Sequence, residues 1–274
     1  MTYEHSSLLF ILSLHFALSM LLSAGGFLRI YYFVSLGYAF SIATLSVVTP
    51  ALLWPFVDVF TSLQTGLLFL YGIRLGGFLT LRERNPVYRK ELEEVRQRGA
   101  HIHGAVKWAI WVGVSLLYVA MYSPALFTLV FRREHGQTGW SLPVGLGIMI
   151  SGLVIEALAD QQKSVFKKHN PKRFCDVGLY RFARCPNYFG EVVFWTGVWF
   201  SGLSAYQGLV QYLISGAGYV CIVLVMLGST RRLELKQDER YGNDPEYQEY
   251  VRRIPVLFPF LPIYSFRTLR IYLG

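Results

Sequence analysis

Charged residues are scarce in this chain of 274 amino acids: 16% are Asp, Glu, Lys or Arg, whereas 53% are hydrophobic. A soluble domain averages about a quarter charged residues. The apolar residues fall in long runs, which excludes an ordinary soluble enzyme. The composition predicts an all-α fold, a polytopic bundle of transmembrane helices.

Cysteine is also rare, and Cys175, Cys185 and Cys221 show no CxxC spacing. Neither a disulfide nor a structural zinc site is therefore expected, and no metal is predicted. The N-terminus lacks a basic segment ahead of its first apolar run, so a cleaved signal peptide is not expected. No GxGxxG follows a strand pattern, which excludes a Rossmann domain as a cofactor site.

Acidic residues are outnumbered, with 17 Asp and Glu against 26 Lys and Arg, for a net charge of +9. On a soluble protein this surplus can indicate a nucleic-acid partner. Here the basic residues lie between apolar runs. They therefore indicate cytoplasmic loops that face anionic lipid and an anionic cofactor, and no nucleic acid is expected.

Seven apolar segments are predicted to span the membrane within a single domain, 1–274. They cover residues 8–28, 30–48, 59–79, 106–130, 141–159, 192–204 and 209–228. Residues 86–98 are either an interfacial helix or a solvated basic loop. Basic residues concentrate on the side of the C-terminus, so the positive-inside rule predicts an outside N-terminus and a cytoplasmic C-terminus.

A polar stretch, GLYRFARCPNYFGE at 178–191, directly precedes the sixth segment. Polar groups next to a membrane segment cost free energy unless they bind something. Arg181 and Arg184 are three residues apart, and guanidinium groups suit phosphate oxygens. Asn187 and Glu191 share one helical face and can bind a nicotinamide amide or its ribose. The alternative is a helix-start asparagine followed by a snorkelling glutamate.

The helix of the fifth segment is predicted to continue to Lys168 and carries four charged residues on one face. They are Glu156, Asp160, Lys163 and Lys167. Carboxylates accept hydrogen bonds from ribose hydroxyls and lysines meet phosphates, so this face suits a dinucleotide. A ladder of ion pairs next to the membrane is the alternative. The helix is predicted to stop at Asn170-Pro171, and Pro186 fits the start of the next one.

The segment after the last span is basic and aromatic. Arg231, Arg232, Lys236, Tyr247 and Arg252 can hold the 2'-phosphate of an adenosine and stack on its base. Positive charge after a span is also an ordinary topological signal, and that alternative stays open.

The N-terminal half is less informative. Arg74 lies too deep in the third segment for a surface charge, which predicts a pairing or anion-binding role. Tyr71 can polarise a substrate carbonyl, or it can be an interfacial anchor. Asp58 is predicted to start the third helix. His15 is predicted to be a hydrogen-bonded packing residue.

Residues 178–191 resemble the cofactor signature GLxxxxRHPNYxGE of the steroid 5-alpha-reductase-like superfamily of integral membrane reductases. The preceding EALADQQK, 156–163, resembles the ExxADxQK of one branch, and 231–250 resembles the tail of sterol reductases. The resemblance covers roughly 66–262 and leaves 1–65 as variable N-terminal spans. Cys185 stands where many relatives carry His, and the Gln-Glu pair of steroid reductases cannot be placed.

The resemblance implies that NADPH binds in a cavity open to the cytosol and reduces the activated C=C bond of a hydrophobic, sterol- or lipid-like enone. The implied catalytic residues are Tyr71 and Glu191. The implied cofactor-binding residues are Arg74, Glu156, Asp160, Lys163, Lys167, Tyr180, Arg181, Arg184, Asn187, Tyr188, Glu191, Arg231, Arg232, Lys236, Tyr247 and Arg252.

The expected partners are the lipid bilayer and a hydrophobic small molecule, without an obligate protein partner. The expected location is the endoplasmic reticulum membrane in a eukaryote or the inner membrane in a bacterium. Two rival functions stay open. Isoprenylcysteine and phospholipid methyltransferases share GxYxxxRHPxYxG and bind S-adenosylmethionine, although Asn187 with Glu191 favours the reductase. A non-catalytic lipid-binding membrane protein is the second.

Overall fold

The computed structural model describes residues 2–84 and 102–269, and these two ranges are helical and contain no strand. Eight α-helices occur in them. They are α1 (Thr2–Ser23), α2 (Leu36–Leu52), α3 (Val59–Arg84), α4 (Gly104–His135), α5 (Ser141–His169), α6 (Pro186–Ser201), α7 (Leu209–Tyr241) and α8 (Pro245–Arg253). Short 3-10 turns occur at Ala24–Phe27, Ile30–Tyr32, Trp54–Phe56 and Gly178–Arg181.

Five helical segments of the described chain are long and apolar enough to cross a membrane. They cover Leu8–Phe27, Ile30–Leu52, Gly104–His135, Ser141–His169 and Leu209–Tyr241. Each corresponds to a segment predicted from the sequence. The prediction of an all-helical membrane protein is therefore confirmed.

The two other predicted spans correspond to α3 and α6. Helix α6 has 16 residues, or about 24 Å at 1.5 Å per residue, which is short against a hydrocarbon core of about 30 Å. Helix α3 has 26 residues and ends in Arg82-Glu83-Arg84. The count of seven spans and the orientation of the termini stay predictions. The predicted interfacial helix at 86–98 lies outside the described residues.

Helix boundaries follow local sequence rules. Helix α5 ends at His169, directly before Asn170-Pro171, and α6 begins at Pro186, both as predicted. The Asp58 carboxylate accepts a hydrogen bond from the Thr61 backbone nitrogen at 2.9 Å, so Asp58 caps the start of α3 as predicted.

The described chain divides into two compact units. The first comprises Met1–Leu146 and Trp199–Tyr219, and the second comprises Gly147–Val198 and Val220–Gly274. The predicted dinucleotide-binding residues after position 150 all belong to the second unit, whereas Tyr71 and Arg74 belong to the first.

Helices of the first unit pack closely and pair their polar side chains. A β-carbon on Gly72 would lie 2.6 Å from the carbonyl oxygen of Ala39, so α3 needs a glycine where it meets α2. The Gln64 amide donates to the Ser201 hydroxyl at 2.6 Å and accepts from Thr128 at 2.7 Å. Such bonds satisfy polar groups where water is absent.

His15 is part of the same polar interior. Its Nε2 lies 3.0 Å from the Thr49 hydroxyl oxygen, and its ring meets the Tyr122 ring edge-on at 5.4 Å. The structure therefore places it as a buried, hydrogen-bonded packing residue, as predicted.

Candidate functional site

Helices α5 and α6 cross at two glycines of the second unit. A β-carbon on Gly190 would lie 2.6 Å from the Glu156 backbone nitrogen, and one on Gly152 would lie 2.3 Å from the Phe194 backbone nitrogen. No side chain fits between the two backbones at this point. The signature glycine therefore has a packing reason: it lets α6 lie directly against the helix that carries the predicted acidic face.

Four polar residues that the sequence analysis selected lie on the two helices near this crossing. Glu156 of α5 and Glu191 of α6 are both buried, and Gly190, which precedes Glu191, lies against the Glu156 backbone. Asp160 is half-buried one turn further along α5. Asn187 is one turn before Glu191, and its Oδ1 is buried without a hydrogen-bond partner among the described residues.

A glutamine of α5 holds the turn that opens the signature. Gly178 has φ +59°, in the left-handed region that favours glycine, and a β-carbon there would lie 2.3 Å from Gln162 Oε1. The same oxygen accepts a hydrogen bond from the Leu179 backbone nitrogen at 2.8 Å. The ExxADxQK and signature motifs are thus joined by one side chain.

Tyr180 follows in this turn and is buried. Its carbonyl oxygen accepts a hydrogen bond from the Tyr250 hydroxyl at 2.7 Å, which joins α8 to the signature. Burial raises the pKa of the Tyr180 phenol, and nearby Cys175 and Asp160 raise it further. The raised pKa favours the neutral hydroxyl of Tyr180.

Arg184 forms a buried ion pair with a residue that the sequence analysis did not select. Its Nη2 donates to Glu234 Oε1 of α7 at 2.9 Å and also donates to the Tyr264 carbonyl oxygen. The other Glu234 oxygen accepts from the Phe266 backbone nitrogen at 2.8 Å. The backbone nitrogen of Arg184 donates to the Pro255 carbonyl at 2.9 Å. The segment after α8 thus folds back on the signature.

Cys185 lies in the apolar cluster formed by this fold-back, with Val256, Leu257 and Phe266. Burial raises the pKa of its thiol to about 11. The thiol is therefore protonated at neutral pH, and this side chain does not supply a nucleophile there.

A second ion-pair group follows along α7. Arg267 donates from Nε and Nη2 to the two carboxylate oxygens of Asp238, at 2.6 and 2.8 Å. The Tyr247 hydroxyl donates to Asp238 at 3.0 Å. The Tyr247 hydroxyl is therefore engaged in a hydrogen bond within the protein. Its ring packs with Phe174 and Tyr241.

The remaining predicted cofactor-binding residues of the second unit are either half-buried or exposed. Lys167 donates to the Tyr241 hydroxyl at 2.7 Å and also to the Arg173 carbonyl oxygen. Lys163 and Tyr188 are half-buried, and so is Arg231, whose Nε donates to the Arg267 carbonyl oxygen at 3.3 Å. The exposed members are Arg181, Arg232, Lys236 and Arg252.

Tyr71 and Arg74 lie on α3 of the first unit. Tyr71 is fully buried, and its hydroxyl is 2.8 Å from the Tyr38 hydroxyl. The Tyr38 ring stacks on Tyr118 with 5.7 Å between centroids. Arg74 is half-buried. Tyr71 is thus held among tyrosines, and its predicted catalytic role stays a prediction.

Glu234, Asp238 and Arg267 are the residues that sequence reasoning missed. Glu234 pairs with Arg184 across 50 positions, and Arg267 pairs with Asp238 across 29. No motif spacing connects such distant residues. The available signal was the placement of acidic residues among basic ones on α7, where an unpaired carboxylate beside a membrane is costly.

An apolar pocket of about 220 Å³ lies beside the signature. It is lined by eight residues, among them Ile155 of α5, Phe182 and Ala183 of the signature, Phe189 of α6 and Phe260. All eight are apolar residues, so the pocket suits hydrocarbon rather than a charged cofactor.

Comparison with known proteins assigns the chain to a family. A family model described as "Protein of unknown function (DUF1295)" matches residues 29–254. "Uncharacterized protein C594.04c" of Schizosaccharomyces pombe is 27% identical over 159 residues, which are 51% of this chain and 44% of that protein. The chain thus spans less than half of that relative's length. No solved structure matches significantly. The chain belongs to DUF1295, a family of membrane proteins related to steroid 5-alpha-reductase.

Proposed function

We propose that this protein is an NADPH-dependent membrane reductase of an activated C=C bond in a hydrophobic, sterol- or lipid-like substrate. The proposal depends most on the crossing of α5 and α6 at Gly152 and Gly190. That crossing brings two sequence motifs together, and each contributes a buried carboxylate, Glu156 and Glu191. Buried carboxylates in a membrane protein are costly, which indicates a ligand-binding role.

The polar groups at the crossing fit the nicotinamide end of a dinucleotide. Asn187 Oδ1 is a buried acceptor without a partner among the described residues, and a carboxamide supplies the N–H donor that it lacks. Glu156 and Glu191 can accept hydrogen bonds from ribose hydroxyls, as acidic residues do in other dinucleotide sites.

Exposed basic residues fit the phosphates. Arg232 and Lys236 lie on α7, where both side chains are exposed. Arg184 is already engaged by Glu234. Arg232 and Lys236 are the proposed source of a preference for NADPH over NADH, because their charges suit a 2'-phosphate.

The cofactor supplies the hydride when it is bound. The chain's part is to orient the nicotinamide through Asn187 and Glu191. The predicted proton donor is Tyr71 of the first unit, whose hydroxyl lies 2.8 Å from the Tyr38 hydroxyl. A hydroxyl so placed can stabilise the oxygen on which enolate charge develops.

Ligand-dependent stability of the detergent-purified protein tests the proposal. We expect NADPH to raise the unfolding midpoint, because a ligand at 100 times its Kd adds about 2.7 kcal/mol to the native state. NADH should act more weakly. Stabilisation by S-adenosylmethionine alone would instead identify a methyltransferase. No response to any of the three would leave the non-catalytic lipid-binding protein.

A further inference from the structure

The signature helix α6 has two different faces. Successive residues of an α-helix are about 100° apart, so Phe189 lies about 160° around the helix from both Asn187 and Glu191. Asn187 and Glu191 form the polar face at the α5 crossing. Phe189 and Pro186 line the apolar pocket. Phe189 therefore reaches the pocket from a side of α6 that does not carry the proposed nicotinamide contacts.

Large apolar side chains are exposed around this pocket. Phe260 is 88% exposed and Phe182 is 64% exposed, and both line the pocket. Burying one such aromatic side chain is worth about 1.5–3 kcal/mol, so leaving both in water would be unfavourable. Contact with lipid would avoid this cost.

The depth of the pocket fits the boundary between lipid headgroups and acyl chains. Ile155 directly precedes Glu156, the first charged residue of α5, and lies five residues, or about 7.5 Å along the helix, before Asp160. Amphipathic segments bury their apolar faces about 5–10 Å into this boundary. Arg181 lies between the pocket residues Leu179 and Phe182 and is exposed. It thus offers a positive charge beside an apolar pocket.

The size of the pocket fits part of an acyl chain. An apolar cavity of about 150 Å³ in another protein stays dry and binds benzene. The present pocket has about 220 Å³ and is lined by apolar residues, so a short stretch of hydrocarbon fills it.

We infer that the pocket formed by Ile155, Phe182, Ala183, Phe189 and Phe260 binds an acyl chain of an anionic membrane phospholipid, with Arg181 at the headgroup phosphate. This lipid site is separate from the proposed cofactor contacts and takes part in no chemical step. It assigns Arg181 to the lipid rather than to the dinucleotide.

Photo-crosslinking of the full chain in nanodiscs tests this site. The probes are phosphatidylglycerol and phosphatidylcholine with a diazirine in one acyl chain, and adducts are mapped by peptide mass spectrometry. We expect at least fivefold more adducts at 179–189 and 259–261 than around Val220 of α7, which is 53% exposed but lines no described pocket. Equal labelling, or cross-links to a second copy of the chain in place of lipid, would overturn the inference.

Two matched variants sharpen the test. Phe260→Gln should lower adducts in the pocket at least fivefold, and Leu209→Gln, the same kind of change at a 73% exposed leucine, should not. Both sites are exposed, so neither change should alter thermal unfolding. Arg181→Gln should reduce the preference for phosphatidylglycerol from about fivefold to none, since a basic residue near a membrane contributes about that factor. An unchanged adduct pattern in Phe260→Gln would count against the site, and an unchanged preference in Arg181→Gln against the headgroup contact.

No part of this experiment requires NADPH or turnover. A positive lipid result alongside no response to NADPH would reject the proposed reductase and retain the lipid site. The reverse pair of results would reject the lipid site alone.

Discussion

Arg184 and Glu234 form an ion pair whose side chains are 1% and 0% exposed, with 2.9 Å between Nη2 and Oε1. The pair joins the signature to α7. Glu234 also accepts a hydrogen bond from the Phe266 backbone nitrogen, so the same carboxylate anchors the segment after α8. A pair this deeply buried supports the fold, because Arg184 alone would be a buried charge without compensation and Glu234 alone would keep only Arg267, at 3.6 Å.

Replacing one partner of this pair should destabilise the second unit strongly. For Arg184→Met or Glu234→Gln we expect a loss of about 3–5 kcal/mol in the free energy of unfolding. The double variant Arg184→Met/Glu234→Met should recover part of that loss. Unfolding experiments in detergent measure the stability of all three variants.

The matched control is Arg253→Gln, because the pair of Arg253 with Glu249 is 75% and 48% exposed. Exposed pairs contribute about 0.2–1 kcal/mol. Equal losses of unfolding free energy for Arg184→Met and Arg253→Gln would show that the buried pair contributes no more to stability than the exposed one.

Gly190→Ala should disrupt the crossing of α5 and α6. The added methyl group would lie 2.6 Å from the Glu156 backbone nitrogen and 2.8 Å from the Gly152 carbonyl oxygen, so the backbones must separate. We expect a loss of about 1–3 kcal/mol in stability, together with loss of NADPH binding. Gly147→Ala on α5 is the control, since nothing lies within 4 Å of the added methyl group. If Gly190→Ala is as stable as Gly147→Ala, close packing at Gly190 is not required.

Asn187→Ala and Glu191→Gln should remove NADPH binding while leaving expression and detergent stability nearly intact. Both residues face the proposed cofactor site, where their role is to bind ligand rather than to hold the fold. We expect at least a tenfold loss of affinity in each, measured by the thermal shift on NADPH titration. Arg29→Ala, whose contact with Glu83 is exposed, should change neither property. Unfolding of Glu191→Gln would instead assign Glu191 to a structural ion pair.

Asp58 should make stability depend on pH in the acid range. Burial opposes its ionisation, but hydrogen bonds from Thr138 and Thr61 and the charge of Arg132 outweigh burial and hold the pKa of Asp58 below 3.8. A depressed folded-state pKa gives stability that is present at neutral pH and is lost as the pH falls through that value. Asp58→Asn still caps α3, so it isolates the charge. Its unfolding midpoint should be lower than that of the wild type at pH 6, and the two curves should converge as the pH falls below the lowered pKa of Asp58. Parallel curves would contradict this role.

The predicted orientation can be tested with tags at the two termini. A tag before Thr2 should be accessible only from outside the cytosol, and a tag after Gly274 only from inside. This result requires an odd number of spans, and therefore requires α3 and α6 both to cross or neither to cross. Accessibility of both tags from the same side would reject the seven-span arrangement.

Much of the fold was predictable because it depends on local rules. Long apolar runs predicted the five membrane-crossing helices, Asn170-Pro171 predicted the end of α5, and Pro186 predicted the start of α6. Each of these signals is read within a few residues. The capping role of Asp58 was predictable for the same reason.

The candidate site was predictable only in part, because residue type does not identify the partner. Arg184 was selected as a phosphate ligand from its spacing to Arg181, yet the structure places it 2.9 Å from Glu234. A guanidinium group suits a phosphate and a carboxylate equally well, and only tertiary structure shows which one is present. The packing role of Gly190 was also hidden, since it depends on the distant backbone of Glu156.

The fold-back of the segment after α8 also has a consequence for the order of synthesis. A ribosome adds about 5–20 residues per second, so Glu234 follows Arg184 by several seconds, and Phe266 emerges 32 residues later still. Until Glu234 has been made, the Arg184 guanidinium group lacks its carboxylate partner. Until Phe266 has been made, the signature and α6 lack the segment that covers them. The second unit therefore completes its folding only after Phe266 has been synthesised, and a ribosome that stops after Arg253 would release a chain whose motifs are all present but whose Arg184–Glu234 pair lacks the segment that covers it.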